Sequence, residues 1–493
     1  MSIQTLPTKL GDLVQKVPVE TWENIFSCLD ASDMTPSRRA CKGFLDITLR
    51  PFNRVIHWRS QQSFMDWQEA GLDGRMLHVP REVTLGPTRG PYQLHEGADI
   101  CWREILPVLA TFHDLSTLTL SHVAFPLVDI LDVVGQLSSL RHLNMLNVGR
   151  ASNESAFIRP TSPLPWTSLR TIKLLHVYGS PVTGDEGLRR LIKVLSAEGL
   201  QDVSMNLGTF VDILDSIRFD RTSNTASGSN SSMVPYPSLP STLHALEVHT
   251  DMTREEMDSD YLDYMEYTDI LCRWLKGCSD GLQRLSLCVG SDMPAPVQPL
   301  DVSNLLELTA PPSFLCGLKL GPLIKRVWVP IAEIEETTPW KLPNNMKTLG
   351  RTRVEHLSVW SWDITDTSLE DLFLLCPELK ELSLAPSVAL TAMEYKQLPM
   401  LVEQTPHLVG LSVVQPSGED SPEQLTAEDH RTLLHDLKAS CPSLQYVRFV
   451  VDMKYVWDEE LGRWRTVGYN YPQLFLPLED VNTKSDPYRR YFF

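Results

Sequence analysis

A short apolar pattern recurs along the chain and limits its possible folds more than any other feature. Each copy has an aliphatic residue, two free positions, a second aliphatic residue, one free position and a third, as in Leu379, Leu382 and Leu384. The last two apolar positions alternate with a free one, which is typical of a short strand with one buried face. Further copies begin at Leu115, Leu140, Leu169, Leu200, Leu243, Leu282, Val354, Leu408 and Leu444, with weaker copies around Val83 and Ile324. A single strand cannot bury its face alone, so the pattern predicts a stack of repeats.

The segments between copies predict helices. Residues 185–195 carry apolar side chains at helical spacing, and segments 368–376 and 425–439 are similar. Successive copies from Leu115 start 25, 29 and 31 residues apart, so the repeats are long and irregular. Strand, loop, helix and loop together predict a curved α/β horseshoe.

These repeats resemble the leucine-rich repeat family. Cys376-Pro377 and Cys441-Pro442 precede two copies, as in the irregular cysteine-containing repeats of many F-box proteins. The chain departs from the family where an Asn usually follows each strand and bonds the neighbouring loop. That Asn is missing, and the equivalent positions hold Val123, Val148, Val177, Gly208 and Asp251.

Bulk properties restrict the class of protein. The formal net charge of −18 argues against nucleic acid as the main ligand. We find no apolar run long enough to span a membrane and no signal peptide, so we expect no membrane partner. Nine scattered cysteines suit reduced, buried thiols, which predicts an intracellular location in the cytoplasm or nucleus or both.

The N-terminal region predicts a small helical unit. Pro18 opens a helix whose apolar stripe is Trp22, Ile25, Phe26 and Leu29. A second helical run covers residues 37–47. About 40 residues need help from a partner or a neighbouring domain to be stable.

The same residues resemble an F-box in their type and spacing. The resemblance implies a docking site for the Skp adaptor and, through it, a cullin–RING ubiquitin ligase. It assigns adaptor contacts to Pro18, Glu20, Ile25, Phe26, Leu29, Cys41, Lys42 and Phe44. The alternative is that these helices only cap the solenoid.

The predicted fold class is therefore α/β. A small helical F-box at the N-terminal side is followed by a curved leucine-rich-repeat solenoid and then by a C-terminal β-hairpin cap. The expected divisions are a flexible leader (1–14), the F-box (15–58), a linker helix (59–78), repeats (79–450) and the cap (451–493). The Ser- and Asn-rich stretch at about 222–241 is expected to be a flexible insertion. The cap is predicted as a hairpin around Gly462.

No catalytic, phosphate-binding or cofactor signature is found, so we expect neither an enzyme nor a cofactor. Cys272 and Cys278 have no His at ligand spacing, which favours core thiols over a metal site. The free strand positions instead predict a concave binding face. Its candidate target-binding residues are Arg284, Arg326, Trp328, His356, Trp360, Tyr446 and Arg448.

Clustered arginines on an acidic chain predict an acidic or phosphorylated ligand. The rival interpretation is that they pair with Glu247, Glu355 or Glu381 and only stabilise the surface. The predicted function is substrate recognition for a Skp–cullin–F-box ubiquitin ligase. The alternatives are a leucine-rich-repeat interaction scaffold and an enzyme whose site is assembled only in space.

Overall fold

The computed structural model is mixed α/β and is dominated by parallel strands. It forms two compact units, Met1–Pro240 and Ser241–Phe493. It describes residues 17–29, 54–69, 80–86, 104–123, 126–148, 166–177, 186–226, 238–249, 264–288, 295–329, 347–362, 373–386, 392–413, 427–450 and 453–468.

Among the described residues of the first unit, six strands pair in parallel and in chain order. The strands are β1 (Val55–Trp58), β2 (Glu82–Leu85), β3 (Thr117–Val123), β4 (His142–Val148), β5 (Thr171–Val177) and β6 (Asp202–Asn206). The helices are α1 (Val19–Ser27), α2 (Gln61–Glu69), α3 (Ile105–Ala110), α4 (Leu127–Val134), α5 (Glu186–Leu195) and α6 (Leu207–Ala226).

The repeated apolar positions form continuous buried rows across this unit. The central aliphatic residue of each copy pairs with its counterpart on the next strand, and each is at most 5% exposed: Ile56, Val83, Leu118, Leu143, Ile172 and Val203. Each such side chain contributes about 1.5–3 kcal/mol on burial. The repeat is therefore stable only as part of a stack.

The sheet begins earlier than the sequence predicted. We expected the F-box segment to continue to residue 58 and the repeats to start at 79, but β1 already pairs in parallel with β2. The reason is aromatic packing, because Trp58 lies within 5.0 Å of Phe64 and 5.2 Å of Trp67 between ring centroids. The predicted linker helix is the helix that follows the first strand, and it ends at Glu69.

In the second unit, eight parallel strands follow the order β7-β8-β10-β12-β13-β14-β15-β16, and β9 pairs separately with β11. The strands are β7 (Ala245–His249), β8 (Arg284–Leu287), β9 (Leu300–Val302), β10 (Glu307–Thr309), β11 (Leu318–Leu320), β12 (Arg326–Val329), β13 (His356–Trp362), β14 (Glu381–Pro386), β15 (Gly410–Val413), β16 (Tyr446–Val450), β17 (Met453–Asp458) and β18 (Arg463–Gly468). The helices are α7 (Tyr264–Lys276), α8 (Pro312–Cys316), α9 (Ala392–Val402) and α10 (Ala427–Ser440), with a 3-10 helix at Lys347–Arg351.

Strand β10 was missed by the sequence analysis. Its copy of the pattern is Leu305, Leu308 and Ala310, all buried. The small Ala310 takes the third aliphatic position, so the copy did not stand out. The consequence is one additional strand between β8 and β12.

At the C-terminal side, β17 pairs antiparallel with β16, and β18 pairs antiparallel with β17. Gly462, in the turn between β17 and β18, has a φ of +59°, which L side chains rarely adopt. Trp464 Nε1 donates a hydrogen bond of 3.0 Å to the carbonyl of Leu434 in α10. This pairing gives the edge of β16 a hydrogen-bonded neighbour.

Several expectations fall wholly or partly outside the described residues. Helix α6 continues to Ala226, so the first part of the expected insertion is helical, while 227–237 lie outside the description. The leader, 1–14, and the second helical run, 37–47, also lie outside it.

Candidate functional site

The apolar stripe of helix α1 is partly buried and partly exposed to solvent. The rings of Trp22 and Phe26 stack with centroids 5.9 Å apart, and Phe26 is only 3% exposed. Ile25, on the same helix, is 46% exposed, and Leu29 just beyond it is half-buried. An aliphatic side chain that is half exposed beside the buried Phe26 ring is available to an external partner.

The other predicted adaptor contacts are only partly described. Pro18 is the exposed residue before the helix, with backbone angles of −55° and 143°. The side chain of Glu20 is outside the description, as are Cys41, Lys42 and Phe44.

The predicted target-binding residues lie on successive parallel strands of the second unit. At one ladder position the paired residues are Arg284, Glu307, Arg326, His356, Glu381, Gly410 and Tyr446. This register brings together six charged or titratable side chains that are distant in sequence. The strand pairing, not a local motif, creates the cluster.

The two arginines of this row are paired with carboxylates. Arg284 Nε lies 3.0 Å from Glu307 Oε2, and its Nη1 lies 3.4 Å from Glu247 Oε1. Arg326 Nη1 lies 2.7 Å from Glu307 Oε1. The pairing that the rival interpretation expected is therefore present between Arg284 and Glu247. Glu307 was not foreseen as a partner because its strand, β10, was missed.

Glu247 has a second basic neighbour. Its pKa is lowered, first by a hydrogen bond from His249 and then by the charges of His249 and Arg284. Burial opposes this effect without cancelling it. Glu247 therefore stays ionised and holds Arg284 in place.

His356 and Tyr446 meet at Glu381. His356 Nδ1 lies 2.7 Å from Glu381 Oε2. Burial raises the pKa of Glu381, but hydrogen bonds from His356 and Tyr446 outweigh burial, so the pKa is lowered. Lys454 Nζ lies 3.8 Å from the centre of the Tyr446 ring, a cation–π distance. These four side chains form a second polar cluster on the strand surface.

The remaining predicted residues do not add a free cationic surface. Arg448 is only 5% exposed, so the expectation that it faces a ligand is not met. Trp328 is half-buried on β12. Trp360 belongs to β13, and its side chain is outside the description.

A polar ladder in the first unit replaces the Asn that the sequence lacks. It lies one residue before Val123, Val148 and Val177, at His122, Asn147 and His176, whose φ angles are +54°, +53° and +51°. Asn147 Nδ2 lies 2.9 Å from His122 Nδ1, and Asn206 Oδ1 accepts the His176 N–H at 3.0 Å. Asn and His tolerate this left-handed conformation better than most residues, a signal that the sequence analysis overlooked.

Several of the described cysteines act as packing groups. Cys376 and Cys441 are buried, and burial raises the pKa of Cys376 to about 12. Cys441 Sγ lies 3.4 Å from the carbonyl oxygen of Leu408 in the neighbouring repeat. Burial likewise raises the pKa of both Cys272 and Cys278 to about 12. Thiols held protonated in this way are poor nucleophiles and poor metal ligands.

The described parts of the chain hold neither a metal-binding cluster nor a membrane-spanning helix. No group of three or more His, Cys, Asp or Glu side chains there could hold a metal ion. None of the described helices has both the length and the apolar character needed to cross a membrane.

Comparisons with known proteins give distant structural likenesses. No protein-family model matches the chain, and no curated protein matches it. A chain in the crystal structure of the Rad7 and Elc1 complex in yeast is 13% identical, with a TM-score of 0.36, over 86% of this chain and 97% of that chain. A chain in the crystal structure of the TLR13–ssRNA13 complex is 15% identical, with a TM-score of 0.33, over 70% of this chain and 40% of that chain. Both likenesses are too distant to assign a function.

Proposed function

We propose that this chain is the substrate-recognition subunit of a Skp–cullin–F-box ubiquitin ligase. In this proposal α1 binds the Skp adaptor and the parallel repeats hold a target protein. The observation that carries it is the divided stripe of α1, where Ile25 is 46% exposed beside the buried Phe26. The F-box resemblance of this segment says which partner an exposed aliphatic helix surface would bind.

The proposed role requires no bond chemistry from this chain. Holding a target next to the ubiquitin-charged enzyme raises the effective concentration of the target lysine, which is sufficient to accelerate transfer. The strand surface suits this role because its ion pairs and hydrogen bonds fix side chains in defined positions. The proposal places the protein in the cytoplasm or nucleus, where thiols stay reduced.

Adaptor capture tests the proposal. The variant I25A/L29A removes the accessible aliphatic groups of α1, and we expect adaptor capture to fall at least tenfold, equivalent to about 1.4 kcal/mol of lost binding free energy. The measurement is co-purification of the full chain with the co-expressed adaptor. The matched control is L374A/M400A, because Leu374 and Met400 are 74% and 61% exposed but lie in the second unit. Undiminished capture by a folded I25A/L29A protein would remove the F-box proposal.

An interaction scaffold without a ligase role is the second candidate. The observation that favours it is the row of charged side chains on β8, β10 and β12, which offers a binding surface independent of α1. Affinity capture with and without the N-terminal segment separates the two candidates. The truncation must end at residue 53, because β1 starts at Val55 and belongs to the sheet. A scaffold would keep all its partners after this truncation, whereas a ligase subunit would lose the adaptor alone.

A further inference from the structure

Four arginines occupy one row at the start of the parallel strands in the first unit. The Arg81 amide donates to the Arg54 carbonyl at 2.9 Å, and the Ser116 amide donates to the Arg81 carbonyl at 2.8 Å. The amide of Arg141 donates to Ser116, and that of Arg170 to Arg141, both at 2.8 Å. Neighbouring strands lie about 4.8 Å apart. We call Arg54, Arg81, Arg141 and Arg170 the arginine row.

Within the part of the chain that the structure describes, the arginine row is accessible and pairs with no carboxylate. Arg54, Arg81 and Arg141 are exposed. Arg170 is half-buried, and its Nη1 donates to the Gly199 carbonyl at 2.7 Å. Among the described residues, no ion pair joins these four guanidinium groups to a carboxylate. The nearest acids along the strands, Glu82 and Asp202, occupy the next ladder position and are exposed.

The same backbone row in the second unit is built differently. There the amide of Glu355 donates to the Lys325 carbonyl, and the amide of Lys380 donates to the Glu355 carbonyl. Glu355 lies between two cations, with Lys325 Nζ at 3.0 Å and Lys380 Nζ at 2.6 Å from its carboxylate oxygens. The repeat architecture can therefore interleave charges at this row. In the first unit Ser116, and not a carboxylate, separates two pairs of arginines.

Like charges opposite one another on neighbouring strands are destabilising. The arginine row carries this repulsion on a chain whose net charge is −18. A local arrangement that costs stability without an internal compensation is typical of a functional surface. No such compensation lies among the described residues, so anions from outside the chain would supply it.

The surface beside the arginine row indicates what carries those anions. On β3, β4 and β5, the first and third positions after the row hold five neutral hydrogen-bonding side chains, all half-buried: Thr117, Thr119, His142, Asn144 and Thr171. Glu82 and Asp202 flank this strip on β2 and β6, and Lys173 occupies the third position on β5. Two hydrogen bonds order them, His142 Nδ1 to Thr171 Oγ1 at 2.7 Å and Asn144 Nδ2 to Thr119 Oγ1 at 3.2 Å. Side chains that both donate and accept suit the amides of a peptide backbone. A strip of this kind adds nothing for a free phosphate ion.

We propose that the arginine row docks an extended acidic segment of a partner protein. Carboxylates of the segment pair with Arg54, Arg81 and Arg141, and its backbone lies against the neutral strip. Side chains on one face of an extended peptide recur about every 6.8 Å, a spacing that long arginine side chains accommodate. Bidentate guanidinium–carboxylate pairing favours this ligand. The inference goes beyond the proposed function and holds whether or not α1 binds an adaptor.

A labelled peptide tests this surface in the full chain. The probe is a fluorescein-labelled peptide of about ten glutamates, and its binding is measured by fluorescence anisotropy at low salt. We expect R81E/R141E to weaken binding at least tenfold and added salt to weaken wild-type binding, because exposed charges are screened. The control K276E/R463E makes the same change in net charge, from −18 to −18 − 4 = −22, on exposed residues of the second unit. This control should bind the peptide like the wild type.

Three results would overturn the proposal. Equal binding by wild type and R81E/R141E, or no binding by wild type, would overturn it. If R81E/R141E does not fold, the milder R81Q/R141Q variant is measured in its place, with the same expected direction. A single-stranded oligonucleotide of ten phosphates is the competing probe, and tighter binding of it than of the peptide would overturn the assignment to a protein partner. Adaptor capture is measured in parallel and should be unchanged in R81E/R141E, so failure of this inference is distinguishable from failure of the proposed function.

Discussion

Glu355 lies between Lys325 and Lys380 in the second-unit row that corresponds to the arginine row, and this one side chain changes the charge of that row. It bridges Lys325 and Lys380, and hydrogen bonds from Lys380 and then from Lys325 lower its pKa from 4.5 to about 2. A carboxyl group with a depressed folded-state pKa stabilises the fold above its unfolded pKa and loses that contribution as pH falls toward the folded value. The stabilisation is therefore complete above about pH 4.5 and is lost by about pH 2.

We expect E355Q to lower the free energy of unfolding at neutral pH by about 0.5–1 kcal/mol, a small value because both lysines are largely exposed. The difference from wild type should shrink as pH falls from 4.5 to 2, and also in 1 M salt. Urea unfolding at several pH values measures it. The matched control is E378Q, since Glu378 and Arg353 are 3.8 Å apart and both well exposed. A difference that persists unchanged at pH 2 would contradict this account of the row.

The pairing of individual side chains was the part of the candidate site that was hardest to predict from the sequence. Arg284 and Arg326 were expected on matching strand positions, and they are. Their shared partner Glu307 could not be foreseen, because it depends on a strand that the pattern hides behind Ala310. The burial of Arg448 was missed for a similar reason, since alternation along β16 says which face it occupies but not what covers that face.

At the scale of single elements, the polar ladder fixes how strands β3 to β6 of the first unit end. Asn206 is 2% exposed, and its Oδ1 accepts the N–H groups of His176 at 3.0 Å and Thr209 at 3.3 Å. Thr209 Oγ1 in turn accepts the Val177 N–H at 2.9 Å. Two buried side chains thus satisfy backbone donors where the strand pairing stops.

We expect N206A to lower the free energy of unfolding by about 2–4 kcal/mol, because it leaves buried backbone donors unsatisfied. The same substitution in N144A serves as control, since Asn144 is half-buried and bonds only a side-chain hydroxyl, Thr119 Oγ1. Hydrogen exchange should quicken at His176 and Val177 in N206A and stay unchanged there in N144A. Equal destabilisation by the two variants would show that the ladder has no special role.

The positions of the strands could be predicted because their buried residues must be apolar, and this requirement is visible in the sequence. The copy at Leu379, Leu382 and Leu384 falls on β14, and all three residues are fully buried. Helix α5 begins one residue after the predicted segment 185–195 and ends with it. The positions of the residues with left-handed φ could not be predicted in the same way, because residue type depends only weakly on backbone φ. The ladder therefore lies one position before the place where the family pattern puts its Asn.

At the scale of the molecule, an aromatic cluster joins the first helix–strand pair to the next repeat. Trp58 is 1% exposed, and its ring contacts Phe64, Trp67 and Phe112 at centroid distances of 5.0, 5.2 and 6.2 Å. All four residues belong to the first unit. Because contacts in a repeat array are between neighbours, damage at one position should spread only to adjacent repeats.

We expect W58A to lower the free energy of unfolding of this region by about 3–5 kcal/mol, as for other buried aromatic truncations. Hydrogen exchange followed by mass spectrometry should show lost protection in β1, β2 and α3, with protection in β13 to β16 retained. The reciprocal variant W464A removes the bond to the Leu434 carbonyl and should affect β17, β18 and α10 alone. Uniform loss of protection in both variants would indicate a single cooperative unit instead.

The left-handed residues also determine where the chain can change its length. His122, Asn147 and His176 are 25 and 29 residues apart, yet the strands that contain them are the same length and stay in register. Each strand and its left-handed residue thus form a block of constant size. All variation in repeat length falls in the stretch between one left-handed residue and the next strand. Insertions of new sequence in that stretch should leave the ladder intact, which makes it the natural place for grafting a tag or an additional domain.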